Sequence, residues 1–289
     1  MPRRQTVNRA LSLAGLFALA TFAAGCHWKN AEERAAEPIL EKNAEARGGL
    51  AAWRAVKTMS MTGKLDAGKA KDPIKLAQSY LRQRREVKAD ARKALAAGAE
   101  LDSDKQVQLP FVMELKRPDL SRFEIVFRGD TAVQVFDGSK GWKLRPFLGR
   151  REVEPYSEEE LRLARQQTEM DGPLLDADRK GYRVELVGSE EVEGRGAYKL
   201  KVTVRKGLVR HVWVDKQTFL EVRVDGSRWL DGKERPMWTY FRDYKPVNGL
   251  LIPHLLETTV DRVKGSEKII VEQVAVNPGL DEARFKKPG

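Results

Sequence analysis

From residue 111 onward, large apolar side chains recur at every second position, and this alternation constrains the fold more than any other feature of the chain. Phe111, Met113 and Leu115 alternate with Val112, Glu114 and Lys116, while Phe123, Ile125 and Phe127 alternate with Arg122, Glu124 and Arg128. A period of two sends neighbouring side chains to opposite faces of a strand, so each segment has one apolar and one wetter face. The pattern returns at Tyr182, Val184 and Leu186, at Tyr198, Leu200, Val202 and Val204, and at Leu220, Val222 and Val224. Asp137-Gly138, Lys206-Gly207, Asp225-Gly226, Asp231-Gly232 and Asn248-Gly249 carry the residue types that tight hairpins require. One-sided strands joined by hairpins predict an antiparallel meander.

Helical signals interrupt it. Leu50, Trp53 and Val56 fall on one helical face after Gly48-Gly49. Ser157 followed by Glu160 forms a capping box and opens a predicted helix to about Met170, where Asp171-Gly172-Pro173 stops it. A third helical piece is predicted over 74–97 inside a segment, 66–108, that separates the first strands. The combination is an α+β chain.

The N-terminus predicts the compartment. Arg3, Arg4 and Arg9 precede an uncharged run over 10–24 that closes on Ala23-Ala24-Gly25-Cys26, which reads as a secretory signal peptide over 1–25. The run is shorter than the ~20 residues that span a bilayer. Its end resembles a bacterial lipobox, making Cys26, the only cysteine, the expected site of lipidation, with two or three acyl chains needed for stable anchoring. Residues 26–45, polar, rich in Ala and Glu and broken by Pro38, read as a lipid-anchored tether that leads into a short helix. His27 after the cysteine favours release to the outer membrane of a Gram-negative cell, by resemblance to known sorting rules.

Lys and Arg number 53 against 42 Asp and Glu, a net charge of +11 in 289 residues, so anionic partners are favoured. The surplus concentrates in 69–93, where nine basic residues face Asp72, Glu86 and Asp90. That stretch is either a solvated helical face or a surface for an anionic membrane or a charged protein partner. Export argues against a nucleic-acid partner.

Catalytic constellations are not apparent. His27, His211 and His254 are far apart in sequence, so no metal site is expected. Asp137-Gly138-Ser139-Lys140-Gly141 lacks nucleophile-elbow spacing, and residues 63–70 nearly match a phosphate-binding loop but end in Ala70 where a hydroxyl is required. No cofactor is expected. The conspicuous residues are instead apolar: Phe111, Met113, Phe123, Ile125, Phe127, Trp142, Trp213, Trp238 and Tyr240 exceed what one sheet with few helices needs. They are either ordinary core or, in a curved sheet too wide to fill itself, the lining of an apolar cavity.

Several blocks resemble the outer-membrane lipoprotein-sorting protein family, whose members are LolA-like: residues 48–57 with Gly63, Phe136-Asp137-Gly138 through Trp142, 170–174, 184–188, Tyr198-Lys199-Leu200, Arg242-Asp243-Tyr244 with 248–254, and Asn277-Pro278. The resemblance spans about 44–286. It implies a strongly curved antiparallel sheet forming an unclosed β-barrel, with helices covering its concave side and a hydrophobic interior for acyl chains. The expected domain is 46–289, carrying the basic insert. The resemblance also implies a non-enzymatic binder of an acylated lipoprotein or lipid ligand, either in lipoprotein trafficking or as a periplasmic sensor that reports to a partner. The family's soluble carrier lacks a lipid anchor, so carrier, acceptor and sensor stay open.

Overall fold

A computed structural model describes residues 29–66, 108–127, 129–146, 150–204, 207–230 and 233–289. The signal peptide, Cys26 and nearly all of the basic insert lie outside the described residues. In chain order the elements are α1 (Ala31–Ala46), α2 (Leu50–Ala55), β1 (Thr58–Asp66), β2 (Gln108–Lys116), β3 (Leu120–Phe127), β4 (Asp130–Asp137), β5 (Gly141–Arg145) and β6 (Arg150–Pro155). Then follow α3 (Glu158–Gln167), α4 (Ala177–Lys180), β7 (Arg183–Val192), β8 (Arg195–Thr203), β9 (Val209–Asp215), β10 (Glu221–Leu230), β11 (Lys233–Val247), β12 (Leu250–Val260), β13 (Glu267–Val276) and a final 3-10 turn over Glu282–Phe285.

All thirteen strands form one antiparallel sheet in the order β6-β5-β4-β3-β2-β1-β13-β12-β11-β10-β9-β8-β7. It is an unclosed barrel, with β6 and β7 as its edges. The chain runs outward from β1 to one edge, crosses through α3 and α4, and returns from the other edge to pair β13 with β1. Bulges at Thr62/Gly63, Lys143/Arg145, Leu186/Gly188 and Glu221/Arg223 supply local twist and bending. Gly63 is required at the first of these, because a Cβ there would lie 1.9 Å from the Ile270 carbonyl oxygen.

Two sequence expectations are corrected. Residues 31–46 are not tether but a sixteen-residue helix that continues through Pro38. Proline inside a helix loses one backbone bond. Here Pro38 is exposed, while Ala36, Ile39, Asn43 and Ala44 on the other side are buried. Ala36 and Ile39 pack with Val184, Leu200, Val202, Val212 and Val214 of β7–β9. An Asn30–Glu33 capping box opens α1, and Arg47 closes it by donating to the Leu251 carbonyl at 3.1 Å and pairing with Glu221 at 2.8 Å.

Asp225-Gly226 is likewise not a turn but the middle of β10, opposite Trp238 and Met237. The Asp225 carboxylate accepts from the His211 backbone N–H and lies 2.7 Å from its Nδ1, a cross-strand use that the dipeptide alone does not disclose. Asn248-Gly249 does form the expected two-residue turn, with φ of 50° and 80° between paired Val247 and Leu250.

Candidate functional site

Register assigns every strand residue to one of two faces. Met59, Met61, Leu65, Leu109, Phe111, Met113, Leu115, Phe123 and Ile125 share the inner face with Val271, Val274 and Val276 through the pairings of β1 with β2 and β13, and of β2 with β3. This is also the face on which α1 and α2 pack.

Under α2 it is a closed core of Trp53, Val56, Met59, Leu115, Leu250 and Ile252. Trp53 Nε1 donates to the Arg47 carbonyl at 2.9 Å, and the Arg47 guanidinium stacks 4.7 Å over its ring. Toward the Leu65–Leu109 end, another cluster has Leu65, Leu109, Phe111, Ile125, Ala132 and Val271 as its buried floor. Around the floor stand Met61, Met113, Phe123, Phe127, Leu256, Ile269 and Val274, all only partly buried. A floor sealed from water with a partly exposed apolar rim forms a wall able to accept a further apolar group, because covering the rim gains ~25 cal/mol per Å2.

Five of the nine conspicuous residues meet here. Phe111 and Ile125 are floor, 2% and 0% exposed. Met113, Phe123 and Phe127 are rim, and the Phe111 and Phe123 rings sit 5.9 Å apart.

The other four lie on the outer face, where Trp238 stands opposite Asp225 and Thr259. Trp142 pairs with Val135 and packs with Val133, Val135 and Phe285, under a C-terminal strap held by Arg284 on Glu114 at 2.7 Å. Trp213 and Tyr240 belong to a separate cluster with Val192, Ala197 and Val222. The Trp213 ring lies beneath Arg223 at 3.8 Å and Lys199 at 5.2 Å, and its Nε1 donates to Glu190. Lys199 and Trp213 hold that carboxyl below its usual range. These contacts complete the side chains' partnerships within the outer surface.

Of the histidines, His254 is buried on β12 with Nδ1 2.9 Å from the Ile252 carbonyl, and His211 faces Asp225. A small cleft of about 310 Å3 between α1, α2 and α4 is lined by Leu40, Ala44, Leu50, Leu174, Arg54 and Asp176. Asp176 pairs there with Arg54 and Arg179, and Asp178 with Lys29, so the cleft reads as a seam between helices.

The sequence did not single out Asp171 or Arg145. Asp171 is 4% exposed and bridges Lys180 and Arg117, each at 2.7 Å. Burial opposes its ionisation, but the two cations prevail and hold its carboxyl below the usual range. In the sequence Asp171-Gly172-Pro173 was legible as a helix stop and as part of the resembling block 170–174, not as a hub of ion pairs.

No family model matches the sequence, and no curated protein is similar to it. Solved structures do share its fold. A LolA superfamily protein from Nitrosomonas europaea superposes with a TM-score of 0.52 at 12% identity, over 87% of this chain and 97% of that one. A domain assigned to the outer membrane lipoprotein-sorting proteins, from Vibrio parahaemolyticus, gives 0.51 at 12% identity, over 88% and 97%. A DUF1329 family protein from Desulfovibrio piger gives 0.52 at 16% identity, over 89% and 98%. The fold is of the LolA type.

Proposed function

We propose that this LolA-type barrel binds acyl chains non-covalently on its inner face, without catalysis, and takes part in lipoprotein or lipid trafficking at the outer membrane. One observation carries the reading: the partly buried rim of Met61, Met113, Phe123, Phe127, Leu256, Ile269 and Val274 around an apolar floor, on the face that the helices cover. Each methylene removed from water contributes ~0.8 kcal/mol, so a chain of about twelve carbons gains roughly ten before ordering costs. The Vibrio relative in fold, named as a lipoprotein-sorting domain, is in keeping with an acylated ligand. Cys26 is the proposed lipid anchor on the periplasmic side of that membrane, and 69–93 the proposed contact with anionic lipid or a charged protein.

The test is titration of the purified protein with the uncharged fluorophore N-phenylnaphthylamine and its displacement by acyl ligands. Saturable binding is expected, lost in Phe123→Asp and retained in Glu124→Gln, whose side chain lies on the outer face. No saturable binding by the wild-type protein would overturn the reading.

A further inference from the structure

On its β4–β5 side the apolar wall ends in buried cations. Ile125 pairs with Ala132 across β3 and β4. Because Val133 pairs with Leu144, the next position beside Ala132 is Arg145, in the same cross-strand row as Ile125 and Phe111. The adjoining row runs through Met113, Phe123 and Gln134 to Lys143. Lys143 is 7% exposed and Arg145 5%.

Buried cations are costly unless they are paired with a carboxylate and hydrogen-bonded to it. Lys143 meets this condition, since its Nζ donates to both oxygens of Glu160 on α3 at 2.5 and 2.7 Å. Arg145 meets it only in part. One terminal nitrogen donates to Glu154 at 2.6 Å, a carboxylate shared with Arg150 at 3.3 Å, while its buried Nε has no hydrogen-bond partner among the described residues. Among the described residues the ion-pairing groups here are Lys143, Arg145, Arg150 and Arg151 against Asp130, Glu154 and Glu160, one positive charge in surplus.

We infer that Arg145 is the head-group site of the acyl wall and receives the oxyanion of an amphiphilic ligand, a carboxylate or a phosphate, on its unused Nε–H. The inference rests on the acyl-binding reading above and adds the polar end of the ligand. An oxyanion would satisfy the orphaned donor and neutralise the surplus charge. A guanidinium is suited to this because its donors lie in one plane and match two oxygens. From Arg145 the row crosses Ala132, Ile125 and Phe111 to Gly63, four strand spacings or about 19 Å, so a long chain anchored at Arg145 lies across the wall.

Displacement of N-phenylnaphthylamine separates this inference from the one beneath it. Dodecanoate, dodecanol, a lysophosphatidate of equal chain length and inorganic phosphate are the competitors. Dodecanoate or the lysophosphatidate is expected to bind at least about tenfold more tightly than dodecanol, as a charge-assisted hydrogen bond would give, and the larger ratio identifies the head group. Inorganic phosphate alone should displace nothing. Arg145→Gln should bring the ratio of anion to alcohol near one with dodecanol affinity unchanged. Glu154→Gln, which removes the competing carboxylate, should raise that ratio. Equal affinity of both anions and the alcohol for the wild type would overturn the head-group site and leave acyl binding intact, whereas failure of dodecanol and both anions would overturn both. If Arg145→Gln does not fold, Glu154→Gln decides, and an unchanged ratio counts against the inference.

Discussion

Asp171 shows how one carboxylate can hold distant segments together. Arg117, at the β2–β3 turn, donates to it and to the Val56 carbonyl, while Lys180 donates to it and to the Gly172 carbonyl. One side chain thus ties α2, the β2–β3 turn and the α3–α4 connection. Breaking a fully buried pair costs about 3–5 kcal/mol. Because the Arg117 side chain is 32% exposed, Asp171→Asn is expected to cost less, about 1–3 kcal/mol. The sign with pH follows from the lowered folded-state value. The contribution is present above the ordinary carboxylate value of 3.8 and is lost as pH falls through the lower folded one. Denaturant unfolding of wild type and variant should show a gap at neutral pH that closes in acid, and a pH-independent gap would contradict the ionic account.

At the scale of elements, α1 is the clearest case of a helix decided by tertiary contact. Its Ala and Glu favour a helix, but Pro38 inside it costs an isolated helix about 3 kcal/mol, and it is held by Ile39 and Ala36 on β7–β9 and by Asn43, which donates to the Phe219 carbonyl at 2.7 Å. Ile39→Ala should therefore cost about 2–4 kcal/mol, in the range of buried aliphatic truncations. The check is the unfolding midpoint, and a loss under 1 kcal/mol would mean that α1 is tether after all. What was legible at this scale were features with a local cause: the period-two strands, the Ser157–Glu160 box and the Asn248-Gly249 turn. What was not legible depended on partners distant in sequence. The Ala36–Ile39 stripe means little until β7–β9 stand beneath it, and Asp225-Gly226 offers a turn that cross-strand pairing overrides.

At the scale of the whole molecule, the sheet has two apolar faces, and sequence alternation distinguishes them within a strand but not between strands. Phe123 and Trp142 are both conspicuous aromatics, yet they point to opposite faces because register carries Phe123 through Gln134 to Lys143, the neighbour of Trp142. On the outer face the aromatics are covered: the C-terminal strap packs over Trp142, while Arg223 and Lys199 cover Trp213. The inner wall keeps its partly exposed rim. Stability and ligand binding should therefore separate by face. Trp213→Ala removes a side chain 3% exposed and is expected to cost about 3–5 kcal/mol with acyl affinity unchanged. Phe123→Ala takes away a rim side chain, so its stability cost should be smaller, about 1–2 kcal/mol, while acyl affinity falls about tenfold. Paired unfolding and fluorophore displacement on the two variants measure both quantities. An affinity loss in Trp213→Ala equal to that in Phe123→Ala would mean that the ligand does not distinguish the faces, and the inner wall would then be core like any other.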